Sequence, residues 1–585
     1  MTQHGITREI KIRICIAILS ILGLLACFAG LFPQVRHIII DLVEQHIVHK
    51  KITLYQSWFE MLLSYSMGGI CFILFFDYCT LTTSGRILVR SIKQEIKDCL
   101  AAIDFRSLVR PTLIILGVYL LGILTIIRAD FLYNDDIGRS IEGFRGWYNW
   151  SRYVSEFTSI FIHADTNLTD ISPLPQLLAT IFLSVSSVLL VYVMGNRKTT
   201  VISLLASIPL GLSPFFLGCL SFKFDAPYFA MSILLSITPF LFRAYKKTFF
   251  FCSVVSLLMM CMTYQAASGI YLLIVVMLCF QDWNYRIKPD KEILSFLWNA
   301  ALSFCIAMIC FKFFFMRHNE YLYDTDAVSS AMHSISQMIP GIWVNIQNYA
   351  TIVYQDLGLT WKICIALVCF FFVMKSVSTS SRNIFLSFFI SVFIISLTFV
   401  LSYGIYLLLK YPLYYPRALF GFGAFTAIIC VYVVADYKKI ATIPVIALSW
   451  CFLVFSLSYG SALADQARYA EFRISIIWHD LNAMYPYSDG ITMQLNNSID
   501  FTPSIKNVSK HYPIIERLIP KRFGVDVFFD NKYYLDHFNY GNSAIANIPA
   551  YTSIDYSDLN LPVVLDTYYH TIQSDGKYIL ITLKH

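Results

Sequence analysis

Runs of about 20 apolar residues recur along this chain, each long enough for a helix to cross the hydrocarbon layer of a bilayer. About thirteen candidate spans can be read, at 10–32, 59–81, 111–130, 174–194, 200–220, 226–242, 248–264, 266–281, 293–315, 359–375, 384–409, 418–435 and 441–459. Composition agrees, with 57% of the 585 residues hydrophobic and only 14% charged. Soluble proteins average about 45–50% apolar and about 25% charged, so a single water-soluble globule is excluded. Disorder is excluded by the same apolar content. A net charge of +7, drawn from so few charged residues, leaves no nucleic-acid footprint. The expected class is a polytopic all-α membrane protein.

Of the 15 cysteines, all but Cys99 lie in apolar stretches and none follows Cys451, which reads as packing rather than a disulfide scaffold or a zinc site. The first apolar run follows Arg8, Lys11 and Arg13 but exceeds a signal-peptide core and lacks a small-residue cleavage site, so it reads as an uncleaved span. Basic residues then collect on alternate loops: 86–110, Arg197/Lys198, Arg243/Lys246/Lys247, Arg286/Lys288/Lys291, Lys375/Arg382 and Lys438/Lys439. Lys50/Lys51 is the main exception. The positive-inside rule therefore places the N-terminus in the cytoplasm.

Three segments read as lying outside the bilayer. Residues 82–110 set Ile87, Ile92, Ile96 and Leu100 near helical spacing among basic residues, as an amphipathic helix on the cytoplasmic leaflet would. Residues 130–172 form a long loop on the opposite side. After Gly460 the runs 491–495, 525–529 and 578–583 alternate like strands, and Ser574-Asp575-Gly576 is a hairpin signal. The expected organisation is 1–110 (two spans and the surface helix), 111–459 (a transmembrane core with its outer loop) and 460–585 (a small α+β extracytoplasmic domain).

Loop 130–172 carries the densest polar signal. Asp135 and Asp136 stand four and three residues before Arg139 and can share a helix face with it. Spacing alone also fits a plain helix start, with Asn134 or Asp135 as N-cap and Arg139 in a surface ion pair. Arg139, Arg145 and Arg152, with several carboxylates and large aromatics, add a second reading. A carboxylate can take a proton from a sugar hydroxyl, and guanidiniums can hold a departing phosphate. Trp147, Tyr148 and Trp150 fit either an interfacial belt or a sugar platform. His163 fits a solvated or hydrogen-bonded loop histidine, or a sugar contact. Lys223 and Asp225, Tyr264-Gln265, and Tyr414 with Arg417 fall at span ends on the same face.

FLYNDDIGR (131–139), Gly146-Trp147, Trp150-Ser151-Arg152 and DISPLPQLL (170–178) resemble the loop of the phage-type (Gtr type II) O-antigen glucosyltransferases, which are serotype-converting enzymes. PFFLGCLSFKFDAPYFAMS (214–232), TYQAA (263–267) and PRALFGFGAF (416–425) are similar to later blocks of that family, so the likeness covers roughly residues 115–430. Ser151 stands where the family pattern has Gly. The resemblance implies a GT-C-type architecture in the bacterial inner membrane. It implies transfer of a hexose, glucose by inheritance, from a polyprenyl-phosphate carrier to lipid-linked O-antigen on the periplasmic face. Carried over by position, Asp135/Asp136 would hold the general base, with Asp135 preferred. Arg139, Arg152, Lys223 and Arg417 would serve the donor phosphate, and Asp225, Tyr264, Gln265, Tyr414, Trp147 and His163 the sugar or acceptor. The chemistry demands no cofactor, although the carboxylates leave room for a divalent cation. A flippase or a polymerase of lipid-linked O-antigen is the alternative.

Overall fold

The computed structural model describes residues 83–195, 197–316, 332–435, 439–485, 492–527, 531–537 and 555–584; the expected spans at 10–32 and 59–81 lie outside them. Helix α1 (Thr83–Ala101) keeps Ile87 and Leu100 exposed, as a surface helix requires. Thr248 donates to its Glu95, and Cys99 Sγ to the Leu241 carbonyl at 3.1 Å. Asp104 accepts the Arg106 amide and starts α2 (Phe105–Ala129), so this span begins earlier than 111 and takes Arg106 and Arg110 into its first turns.

Next come α3 (Asp136–Glu142), α4 (Tyr153–His163) and α5 (Leu174–Met194). The expected span 200–220 is broken into α6 (Val201–Ala206), α7 (Pro209–Leu212) and α8 (Pro214–Ser221), with a bend of 61°. Pro209 and Pro214 cannot donate to a preceding turn, and each opens a new helix, where no donor is needed. Then follow α9 (Ala226–Ile237), α10 (Lys246–Cys261), α11 (Ser268–Asn284), α12 (Asp290–Cys310), α13 (Met338–Asp356), α14 (Leu359–Ser378), α15 (Ile384–Leu401), α16 (Gly421–Val434) and α17 (Thr442–Met484).

Among the described residues seven helices are long and apolar enough to cross a membrane, or eight if the bent pair is one span. Eleven of the thirteen expected spans fall among the described residues, and not all of these give a helix of that length. Residues 226–242 and 418–435 give shorter apolar helices, and 384–409 stops being α-helical at Leu401. Helix α13 matches no expected span, because Asn345, Gln347, Asn348, Gln355 and Asp356 dilute its hydropathy.

Helix α17 is 43 residues long and runs unbroken across residue 460, where the composition turns polar. At about 1.5 Å per residue it spans ~65 Å, twice a ~30 Å hydrocarbon layer. It packs along α2, with Ser456 Oγ donating to the Gly122 carbonyl at 2.7 Å. A Cβ on Gly460 would meet Thr125 at 2.4 Å, so only glycine permits this approach. Beyond α17 lie β1 (Thr492–Asn496), α18 (Pro503–Ser509), α19 (Ile515–Leu518), α20 (Asn531–His537), β2 (Val563–Asp566), β3 (His570–Ser574) and β4 (Tyr578–Leu583).

The sheet order is β1-β4-β3-β2, with β1 parallel to β4 and the other pairs antiparallel. The expected hairpin forms: Asp575 accepts the Lys577 and Tyr578 amides at 2.9 and 2.8 Å, and Gly576 has φ +95°. Residues 525 and 526 make a turn and 527 is irregular, rather than the expected strand, and 528–529 lie outside the described residues. Fully buried Arg473 ties α17 to this sheet through the Tyr569 and Lys584 carbonyls at 2.7 and 2.8 Å.

Candidate active site

Helix α2 ends at Asp130, which takes a left-handed turn (φ 47°), and Asn134 makes another (φ 50°) before α3 begins. Asp135 occupies the N-cap position of α3, yet its side chain caps no amide. The carboxylate instead faces Arg139 through Oδ2, at 3.3 Å; the side chain remains 24% exposed, although Oδ1 is buried without a hydrogen bond. Arg139 is buried, against the surface ion pair that spacing suggested. Its other branch meets Asp225 at 2.5 Å, and its guanidinium lies 4.4 Å from the Trp147 ring centre. Trp147 is fully buried, not part of an interfacial belt, and its Nε1 donates to Asp225; Tyr148 and Trp150 are the exposed members of that trio. Burial disfavours charge on Arg139, but Asp225 and Asp135 outweigh it and hold its pKa above the ordinary value.

Asp136 is fully buried and joins two loops: one oxygen accepts the Tyr133 amide at 3.1 Å and the Lys223 amide at 2.9 Å. Burial, reinforced by the Asp135 charge, pushes its pKa well above the usual carboxylate range, against the pull of the Lys223 amide. The Lys223 ammonium is enclosed by Asp130 and, at 2.8 Å, Asp170. Neither of those carboxylates carries a role in the sequence reading. Both are distant along the chain from Lys223, and i,i+4 patterns cannot reveal such a pairing.

A second group adjoins the first. Arg152 lies 4.7 Å from the centre of the Tyr264 ring, the Tyr264 hydroxyl donates to the Arg417 carbonyl at 3.2 Å, and Gln265 Nε2 reaches the Trp150 carbonyl at 3.5 Å. Tyr264 and Gln265 occupy the break between α10 and α11, which frees their side chains from both helices. Among the described residues Arg152 has no carboxylate partner, and its Nε is buried without a hydrogen bond. Arg417 shares the wall of a cavity of about 680 Å3 with Tyr133 and Asn134, the residue before Asp135.

Ser151, immediately before Arg152, has φ 59°. That left-handed conformation is the physical reason a glycine would be expected there.

Two expected site residues make contacts of other kinds. His163 is buried, not solvated: it stacks on Phe224 with ring centres 5.8 Å apart, and burial holds its pKa below the usual imidazole range. Tyr414 bonds Asn345 and Asn348 of α13 (3.3 Å each) and stacks on Tyr403 at 5.8 Å. Among the described residues no three His, Cys, Asp or Glu side chains gather closely enough to hold a metal ion.

Fold and site together define a helical membrane protein in which interhelical loops assemble a buried acid–arginine frame that includes the partly open Asp135. The chain belongs to the GtrII glucosyl transferase family: residues 124–459, more than half its length, match the family described as Glucosyl transferase GtrII. It is a glycosyltransferase by membership. It is also 23% identical over 424 residues to an "Uncharacterized 55.3 kDa protein in gtrB 5'region" of Salmonella phage P22, covering 70% of this chain and 86% of that protein. No solved structure matches it.

Proposed function

We propose that this protein moves glucose from a polyprenyl-phosphate carrier to lipid-linked O-antigen at the periplasmic face of the bacterial inner membrane, with inversion and with Asp135 as general base. The observation that carries the reading is the contrast between the two acids. Asp136 is sealed and occupied by two backbone amides, whereas Asp135 is partly open and follows Asn134, which lines one cavity with Arg417.

An acceptor hydroxyl oxygen attacks the glucose anomeric carbon from the face opposite the phosphate. Its proton passes to Asp135. The bond from that carbon to the phosphate oxygen breaks, and the electron pair leaves with the polyprenyl phosphate. Arg152 and Arg417 receive the charge that develops there. Arg139 is committed to Asp225 and Asp135, and Lys223 to Asp130 and Asp170, so both act by positioning. Trp147 and Asp225 hold Arg139, and Tyr264 and Gln265 place Arg152 and the loop that carries it.

Incubating the purified protein with polyprenyl-phosphate glucose and a lipid-linked acceptor tests this, because product formation needs no flipping. Glucosylated acceptor is expected from the lipid donor and not from a nucleotide-glucose. No product from the lipid donor would leave the flippase reading standing.

A further inference from the structure

The cavity beside Asn134 and Arg417 is also lined by a segment of the C-terminal region that includes Phe501, Glu516 and Lys521. This wall is anchored. Ile514, Ile515 and Leu518 are fully buried in the main core, the Tyr133 hydroxyl donates to the Leu518 carbonyl at 2.5 Å, and Arg517 bonds both Asp356 and the Tyr414 carbonyl. The segment therefore keeps a fixed position over the residue next to Asp135.

Arg417 and Arg517 share this cavity, and the C-terminal segment adds groups of other kinds. Phe501 and the half-exposed Tyr415 offer aromatic rings, the Lys521 ammonium lying 5.8 Å from the Phe501 centre; Glu516 offers an acceptor, and Lys521, which donates to Asp526 at 3.3 Å, has further N–H donors. Aromatic faces combined with polar groups of both signs suit a hydroxyl-rich glycan better than an isoprenoid chain or a lone phosphate. The volume, about 680 Å3, falls in the range of ligand sites, roughly 300–1,000 Å3. Phe501, Glu516 and Lys521 also lie outside the stretch 124–459 that defines the family, where a feature particular to this chain's acceptor belongs.

We infer that residues 501–527 form the acceptor-glycan subsite: sugar rings stack on Phe501 and Tyr415, hydroxyls bond Glu516 and Lys521, and one hydroxyl is delivered past Asn134 to Asp135. This rests on the transferase reading above and deepens it. The C-terminal region then sets which glycan is glucosylated, while the family core handles the donor.

The test uses full-length protein bearing Phe501→Leu, Glu516→Gln and Lys521→Gln, singly and together. Transfer kinetics and direct binding of polyprenyl-phosphate glucose are both measured. Each hydrogen-bond variant is expected to raise the acceptor KM roughly tenfold, and the combination further, with donor binding unchanged. Unchanged donor binding also shows that the variants fold. An unchanged acceptor KM in the triple variant overturns the subsite, and so does a loss confined to donor binding. Wild-type protein that binds the donor yet glucosylates no acceptor would instead sink the transferase reading itself.

Discussion

Replacing each acid of the Asp135/Asp136 pair by its isosteric amide separates base from frame. In Asp135→Asn the proton acceptor is gone, while Arg139 keeps its 2.5 Å partner Asp225, so the loop stays folded. Loss of a general base lowers rate by ~10²–10⁴-fold, or about 3–5 kcal/mol of barrier at 1.36 kcal/mol per tenfold. In Asp136→Asn the amide oxygen can still accept the Tyr133 and Lys223 amides, and the new NH2 falls where Oδ1 has no partner. Transfer is expected to stay within about tenfold of wild type.

Stability should move in the opposite sense for Asp136. Its folded pKa is raised, chiefly by burial, so its contribution is complete below the ordinary carboxylate range and is lost as pH rises through the folded value. Asp136→Asn should flatten that decline, making the variant relatively more stable at pH 8 than at pH 4. Initial transfer rates and thermal unfolding of detergent-purified protein read both effects. Full activity in Asp135→Asn, with none in a folded Asp136→Asn, would refute the assignment.

Further outcomes follow from neighbouring contacts. Arg417→Gln should raise the donor KM tenfold or more, whereas Lys223→Gln, whose ammonium is already enclosed by Asp130 and Asp170, should mainly lower thermal stability; equal effects on donor KM would contradict that division. Gly460→Val should disrupt packing of α17 on α2, where a Cβ already meets Thr125 at 2.4 Å, and reduce folded yield; normal yield and melting would count against the close approach. Tyr148→Cys, in a chain stripped of its native cysteines, should react with an impermeant thiol reagent in intact spheroplasts. Reaction only after permeabilisation would reverse the orientation.

Run length made the long spans legible, and the i,i+4 relation of Asp135 to Arg139 foreshadowed their ion pair. Local turn chemistry likewise marked the 574–576 hairpin. Other features depend on partners far along the chain. Arg139 finds Asp225, Lys223 finds Asp170, and Arg517 finds Asp356 only once the helices pack. Hydropathy also hid α13, whose polar residues face Tyr414 and the Leu407 and Leu409 carbonyls, and merged α6, α7 and α8 into one run. The wall built by residues 501–527 was invisible for the same reason. Its anchors are a tyrosine hydroxyl and an arginine whose partners lie in other segments.

The most direct measurement is the anomeric configuration of the product. Purified protein is given β-linked polyprenyl-phosphate [13C]glucose and lipid-linked acceptor, and the new linkage is read by NMR. An α-glucoside that disappears in Asp135→Asn is the expected result; a β-glucoside, or transfer that survives that substitution, would contradict direct displacement at Asp135.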